Sequence, residues 1–565
     1  MVPNCDPHDQ LAGMQLLEEL TKNAGAIQEM VLNEILNRNS KTEYLHGFLK
    51  GERDKGLFRK QVPVVDYDKV KPYIERIANG VNSNIISRNP IVELLTSSGT
   101  SGGQPRLMPS TEEELDRKTF MYNILIPVIN KYVKGLDEGK GMYLLFIKPE
   151  ITTPSGLTGR PVLTSYYKSR HFRQRPFNRY NLYTSPDAAI LCPDNGQSMY
   201  TQLLCGLIQR DEVLRVLEKI LTGPNKQMAE AIERECKKHP WEGIVKRLWP
   251  NTKFIEVVVT GSMMQYVPLL EFYGGGLPLV SPMYASSECY FGINLRPLDK
   301  PCDVAYTLLP NMCYYEFIKV KDEDNGASGS SIEGAPAEEV VPLVDVELGG
   351  FYELVVTTFT GLYRYRVGDI LKVTGFYNAA PQFKFIRRRN VVLSIDTDKT
   401  TEEDLLHAVS ATKPLLSSLS LLLSDFTSFP DTSSVPGHYV LFWELIPATS
   451  TGTCKDLDVL LDQAVLEECC AVVESCLDSI YRRCRSRDKS IGPLEVRVVG
   501  NGAFDALMDF CVSRGSSVNQ YKTPRCINSG DAVAVLEDRV VGRFYSQKTP
   551  HWEPFKVEEK VVKRS

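Results

Sequence analysis

The chain has 565 residues, 43% apolar and 24% charged, with a formal net charge of -5, which fits an ordinary globular protein of two to four domains. The mild acidity argues against a general nucleic-acid binder, whose surface is basic. No apolar run reaches bilayer-spanning length, and the acidic N-terminal stretch lacks the apolar core of a secretion signal, so a cytoplasmic protein that does not cross a membrane is expected.

Met14, Leu17, Leu20, Ala24, Ile27, Val31 and Ile35 recur at helical spacing, predicting one amphipathic helix over 11–36. Apolar Val92, Leu94 and Leu95 then lead into Ser97-Ser98-Gly99-Thr100-Ser101-Gly102-Gly103-Gln104-Pro105. Glycines let a backbone turn its N–H groups onto an anion, and hydroxyls add donors, so the run suits a triphosphate. It lacks the Gly-Lys-Ser/Thr ending of P-loop ATPases. Taken alone, a flexible linker and a phosphate site fit it equally. Apolar runs at 142–147, 254–259 and 277–280 alternate with helical stretches, predicting α/β layers with a partly parallel core.

Next comes Met283-Tyr284-Ala285-Ser286-Ser287-Glu288. After a strand, the aromatic could stack a purine and the carboxylate could hold Mg²⁺, a cation that prefers oxygen ligands. In isolation a serine-capped helix start fits better. Residues 321–338, rich in Asp, Gly, Ser, Ala and Glu, read as an exposed loop. Strands are predicted at 351–358 and 370–373. Between them, Tyr363-Arg364-Tyr365-Arg366-Val367-Gly368-Asp369 could place one carboxylate on both ribose hydroxyls, although an ordinary turn explains it as well.

Beyond Asp398 the pattern changes. Thr401-Glu402-Glu403-Asp404 carries a capping signal, 439–443 reads as a strand, 457–480 as a long helix and 494–499 as a strand. This predicts a second, compact α+β domain with its boundary at 398–403. Cys469, Cys470, Cys476 and Cys484 cluster on one stretch that reads as helix. The 14 cysteines form no Cys-x-x-Cys pair and the seven histidines none at ligand spacing, so reduced thiols and no histidine metal site are expected. Near the end, Lys522 in Gln520-Tyr521-Lys522-Thr523-Pro524-Arg525 could reach a phosphate, although a lone lysine is usually solvated.

The order of these four motifs resembles the adenylate-forming superfamily, and segments 95–106, 183–216, 241–273, 284–297, 363–399 and 521–526 resemble the plant Gretchen Hagen acyl-acid amido synthetases. The resemblance implies a firefly luciferase-like α/β fold. Its large N-terminal domain (1–398), with a β-barrel and sheets flanked by helices, joins through a hinge (399–404) to a small mobile α+β domain (405–565). It implies an enzyme that uses ATP and Mg²⁺ to join a small carboxylic acid to an amino acid through an acyl adenylate. Ser97, Ser98 and Thr100 would contact phosphates, Tyr284 lie along adenine, Glu288 hold Mg²⁺ and Asp369 bind ribose. Lys399 would bind a phosphate at the hinge, and Lys522 would be the lysine brought in by the mobile domain. The acyl pocket would comprise Leu125, Val162, Leu163, Met283, Ala285 and Tyr290. Members that use benzoates show an arginine where Leu125 stands, so an aryl-acetic acid such as indole-3-acetic acid is implied. The chain departs from the family in one place. Several tens of helical residues after Val216 are missing, and Leu217-Glu218-Lys219-Ile220-Leu221 matches the far side. A non-catalytic or weakly active isoform and an acyl-CoA ligase remain as alternatives.

Overall fold

The structure, a computed structural model, describes residues 3, 5–101, 104–207, 226–238, 241–320, 339–389, 391–447, 461–513, 523–527 and 529–553. The expected loop 321–338 lies outside them.

The N-terminal periodicity yields two helices, Gln10–Lys22 and Ala24–Asn39, instead of one. Asn23 breaks the path with φ -101° and ψ 23°, and its side chain bonds back to the Glu19 carbonyl at 2.9 Å, a local alternative to helix continuation. The apolar stripe survives the break, because Leu17, Leu20, Ala24, Val31 and Ile35 are all buried.

Strands β1 (Glu93–Ser101) and β2 (Gln104–Ser110) pair antiparallel, with Thr100 opposite Pro105 and Ser101 opposite Gln104. They continue through β4 (Thr158–Pro161) to β3 (Ile151–Thr152). The run at 142–147 is not a strand. Its Leu145 exchanges both backbone bonds with the side chain of Gln202, at 3.0 and 2.7 Å, which satisfies the backbone without a ladder. The run at 254–259 contributes only β5 (Ile255–Glu256), parallel to β6 (Leu279–Val280).

The large sheet runs β11-β10-β12-β13-β14-β9-β8-β7. It is built from β7 (Met283–Ala285), β8 (Tyr290–Ile293), β9 (Tyr306–Leu308), β10 (Tyr314–Val320), β11 (Val340–Pro342), β12 (Phe351–Thr357), β13 (Tyr365–Tyr377) and β14 (Ala380–Arg388). All its pairings are antiparallel, so the expected partly parallel core gives way to a mixed α/β fold with an antiparallel centre. The close β8–β9 pass needs Gly292, where a Cβ would lie 2.4 Å from the Thr307 carbonyl oxygen.

A short pair, β15 (Val391–Leu393) and β16 (Thr400–Thr401), leads into the second unit. Thr401 and Asp404 form the expected capping box of the helix Glu402–Ser410. The sheet β17-β18-β19-β20 follows, from β17 (Leu421–Asp431), β18 (His438–Pro447), β19 (Glu495–Val499) and β20 (Val540–Tyr545). β18 and β19 are parallel, as a helical crossover between them allows. The predicted long helix is shorter, Gln463–Cys476, and a new helix Ser479–Arg483 starts where Asp478 accepts from the Tyr481 N–H at 2.7 Å. Residues 457–460 of that expectation lie outside the described ones. One apolar core gathers residues between Cys5 and Phe383, and another gathers those between Leu393 and Phe544. Thirteen cysteines are free thiols. No described helix is long and apolar enough to cross a membrane.

Candidate active site

The Ser286-to-Cys289 turn joins β7 to β8 and is closed by the Ser286 N–H donating to the Cys289 carbonyl at 2.9 Å. It is a hairpin turn and not a helix start, which sets the capping reading aside. Tyr284 on β7 and Glu288 in the turn are buried. Ser286 Oγ donates to Glu288 Oε2 at 2.7 Å, and the Tyr365 hydroxyl approaches Oε1 at 3.5 Å.

Asp369 stands in the middle of β13, not at a strand start. The β12–β13 register passes from Glu353–Ile370 to Val355–Arg366, so extra residues bulge out of β13 around Gly368 and Asp369. Gly368 has φ +84°, a conformation glycine adopts without strain. The bulge directs the Asp369 carboxylate to the Tyr284 hydroxyl, which donates to Oδ2 at 2.6 Å. Burial, then the neighbouring carboxylate, hold that phenol far above its ordinary value, so it stays a donor.

Across the β13–β14 register Asp369 faces Arg388, whose guanidinium is 3.2 Å from Oδ1. Oδ1 accepts no hydrogen bond although it is buried. Lys399 senses Arg388, Asp369, Glu288 and Arg106, and burial followed by Arg388 pushes its ammonium down to about 8. Arg106, just after the hydroxyl-rich loop, bonds to Tyr365. Three cations and two carboxylates thus face one another around two phenols. Such a group suits a polyanion that carries hydroxyls: the cations take negative charge, and the uncommitted Asp369 oxygen can accept from a diol.

The set also fits a nucleotide-borne Mg²⁺. Among the described residues no cluster of three His, Cys, Asp or Glu could hold a metal by itself. The Glu288 carboxylate, which meets the Ser286 and Tyr365 hydroxyls, offers a single carboxylate of the kind that Mg²⁺ takes alongside phosphate oxygens.

The other expected residues divide. Ser97 is buried on β1; the side chains of Ser98 and Thr100 and all of Lys522 lie outside the described residues. Leu125, on the helix Glu112–Tyr132, and Tyr290 are buried in one core, with Val162 and Met283 packed against it. Tyr122, from the Leu125 helix, reaches Tyr290 with hydroxyls 3.3 Å apart, and Ala285 pairs with Tyr290 across β7–β8. Ala285 and Leu163 are exposed. Within the Tyr-Arg-Tyr-Arg motif, Arg364 forms a buried pair with Glu316 at 2.9 and 3.0 Å and Arg366 pairs with Glu353 at 2.7 Å, so both arginines hold the sheet. Arg106 and Arg388 were not foreseen. The Arg387-Arg388-Arg389 run that ends an apolar strand was the available signal.

Fold and site together define an α/β protein with a buried recess in which arginines and carboxylates face one another. The chain matches the GH3 family N-terminal domain over residues 13–220 and 214–279, the GH3 family central domain over 306–388 and the GH3 family C-terminal domain over 403–531. It belongs to the GH3 family. Similar relatives include the Arabidopsis thaliana indole-3-acetic acid-amido synthetase GH3.17, 59% identical over 98% of this chain and 99% of the relative. The Arabidopsis thaliana indole-3-acetic acid-amido synthetase GH3.6 is 51% identical over 96% and 95%. The solved AtGH3.15 acyl acid amido synthetase in complex with 2,4-DB is 47% identical and superposes with a TM-score of 0.63 over 98% of this chain and 100% of that one.

The GH3.17 alignment spans 609 positions against 565 residues here, so at least 44 of those positions have no counterpart. The N-terminal domain matches in two pieces that overlap at 214–220, a range that contains the Val216–Leu217 junction. Residues 208–225 themselves lie outside the described ones.

Proposed function

We propose that this chain uses ATP to join indole-3-acetic acid to an amino acid, in the cytoplasm, lowering the free hormone. The observation that carries this reading is the convergence of Tyr284 and Glu288 from one hairpin, Asp369 from β13 and Lys399 from the segment before β16 on one recess. The names of the relatives favour an amine over a thiol as the second acceptor.

In the first step a carboxylate oxygen of the acid attacks the α-phosphorus of ATP, and the bond to pyrophosphate breaks. Lys399 and Arg388 neutralise phosphate charge, Asp369 accepts from the ribose hydroxyls, and Tyr284 lines the base. Glu288 would hold Mg²⁺, which when bound would supply further neutralisation of phosphate charge. Ser97, Ser98 and Thr100 add neutral donors. In the second step the amino group attacks the activated carbonyl carbon, AMP leaves with the C–O bonding pair, and the amine gives up a proton. Adenylation makes the carbon electrophilic, so the protein's contribution is positioning and charge. Leu125, Val162, Leu163, Met283, Ala285 and Tyr290 would hold the indole, with residues 399–404 as the hinge between 1–398 and 405–565.

The unmatched positions after Val216 favour a second reading, a chain that binds nucleotide but conjugates weakly. Incubating the chain with ATP, Mg²⁺ and a panel of acids and amino acids, with mass-spectrometric product analysis, tests both. Indole-3-acetyl amides are expected. Nucleotide binding without conjugate would support the second reading, and a coenzyme A thioester would refute the first.

A further inference from the structure

On β5, Glu256 is held between two backbone bonds: the Ile255 and Val257 N–H groups donate to the Pro278 and Val280 carbonyls, both at 2.9 Å. Glu256 is exposed, yet burial raises its carboxyl to about 7. A carboxyl that meets solvent and is still desolvated stands on the floor of a hollow, not on a convex surface. One wall is Tyr143, whose hydroxyl bonds to Glu256. Burial, then Glu256, hold that phenol far above its ordinary value, so it stays the donor. Tyr183 packs edge-on against Tyr143 with ring centroids 4.8 Å apart. The backbones beneath the two rings are tied together, since the Gly141 and Thr184 N–H groups donate to the Leu182 and Gly141 carbonyls at 2.7 and 3.0 Å. The hollow borders the acyl pocket. Tyr167 interacts electrostatically with both Glu256 and Tyr290, and β6, the partner of β5, ends three residues before Met283.

We propose that Glu256 is a specificity-determining residue of the reaction, accepting the ring N–H of an aryl-acetic acid such as indole-3-acetic acid at the floor of this hollow. The proposal rests on the amido synthetase reading and on the acyl pocket named in it. A carboxylate offers about four acceptor positions on its two oxygens, and one phenol does not fill them. The tyrosine rings give an aromatic acid edge and face contacts, and the carboxyl supplies the directional one. β5 holds it on a rigid strand, as a site that reads one atom requires. An acid of the same shape without the N–H would leave the carboxyl desolvated and short of a donor. A site built around a substrate N–H rejects the analogue that lacks it.

The test measures acid-dependent ATP–pyrophosphate exchange in the full chain with indole-3-acetic acid and with benzothiophene-3-acetic acid, which has the same shape and no N–H. The unaltered chain should favour the indole in kcat/KM by roughly tenfold to a hundredfold. Glu256→Leu should bring that ratio close to one, raising KM for the indole and not for the thiophene. Tyr143→Phe keeps the acceptor and should keep the preference. No preference in the unaltered chain, or an equal loss for both acids in Glu256→Leu, would overturn the proposal, because a merely structural role affects both acids alike. Thermal melting reports on the fold. Should Glu256→Leu fail to fold, Glu256→Gln weakens the acceptor by removing its charge and should lower the ratio in part; an unchanged ratio there overturns the proposal as well. If the unaltered chain activates neither acid, the underlying function falls and the proposal with it.

Discussion

Asp369→Asn isolates the ribose contact. Asparagine keeps one oxygen that can accept from Tyr284, now 2.6 Å from Oδ2, but removes the charge that Arg388 meets at 3.2 Å. A preorganised contact of this kind is worth about 2.7–4 kcal/mol in the transition state, so acid-dependent ATP–pyrophosphate exchange should fall roughly a hundredfold to a thousandfold. Leaving Arg388 without its carboxylate should cost stability on the order of 1–3 kcal/mol, readable as a lower melting temperature. The variant should also move Lys399, because Asp369 is one of the two carboxylates that hold its ammonium up against burial and against Arg388 and Arg106. Without it, Lys399 loses its proton at lower pH, and the alkaline limb of the rate profile moves down. Measuring exchange against pH for both proteins separates the effects. An unchanged exchange rate with an unchanged alkaline limb would refute the assignment of Asp369 and the electrostatic coupling together.

In the proposed reaction Lys399 would bind phosphate only while protonated, and burial holds its ammonium at about 8, below its ordinary 10.5. Apparent kcat/KM for ATP should therefore be full below about 8 and fall as pH rises through it, whereas Lys399→Arg should abolish that limb; a flat wild-type profile to pH 10 counts against the role. Leu125→Arg places a cation in the core beside Tyr122 and Tyr290; preference should swing from indole-acetate toward benzoates whose carboxylate can pair with it. Identical relative rates for the two acid classes would sink that idea. Restoring the family's segment after Val216 should raise the melting temperature and conjugate yield while nucleotide binding stays the same. Met199 and Tyr200, on the helix Asn195–Leu207 that precedes the junction in the chain, are exposed, and covering apolar surface stabilises by about 25 cal/mol for each Å². Equal melting and equal turnover in both forms would show the segment to be dispensable.

The local chemistry of the recess was legible before the structure. Taken alone, the motifs of Tyr284, Glu288 and Asp369 fit a helix start and an ordinary turn; their order along the chain and the family resemblance gave them roles. Arg388 was not legible, because a run of three arginines reads as a solvated face. Only the tertiary structure shows that Arg388 meets Asp369 across β13–β14 while Arg389 pairs with Glu353. The run at 142–147 misled for a related reason. Strand-like composition cannot report that Leu145 has its backbone satisfied by a glutamine from a distant helix. The N-terminal helix broke at Asn23, which periodicity alone does not register, since the buried stripe continues through the break. In each case the missing information is long-range: which group satisfies a backbone atom or a charge from far along the chain.

Asp398 and Lys399 are adjacent, yet they answer to different halves of the molecule. Asp398 is fully buried, accepts from the N–H groups of Ile395 and Asp396 at 3.0 and 2.7 Å, and receives the hydroxyl of Tyr439 on β18. Lys399 faces Arg388 and Asp369 of the large sheet. One peptide unit, about 3.8 Å from Cα to Cα, therefore ties the small unit's core to the recess. A turn of the small unit about that peptide would sweep its far strands through a wide arc and leave the lysine almost where it was. With such a turn the joint would work as a door's pivot pin does: the panel would swing, and the point on the axis would keep its contact with the frame.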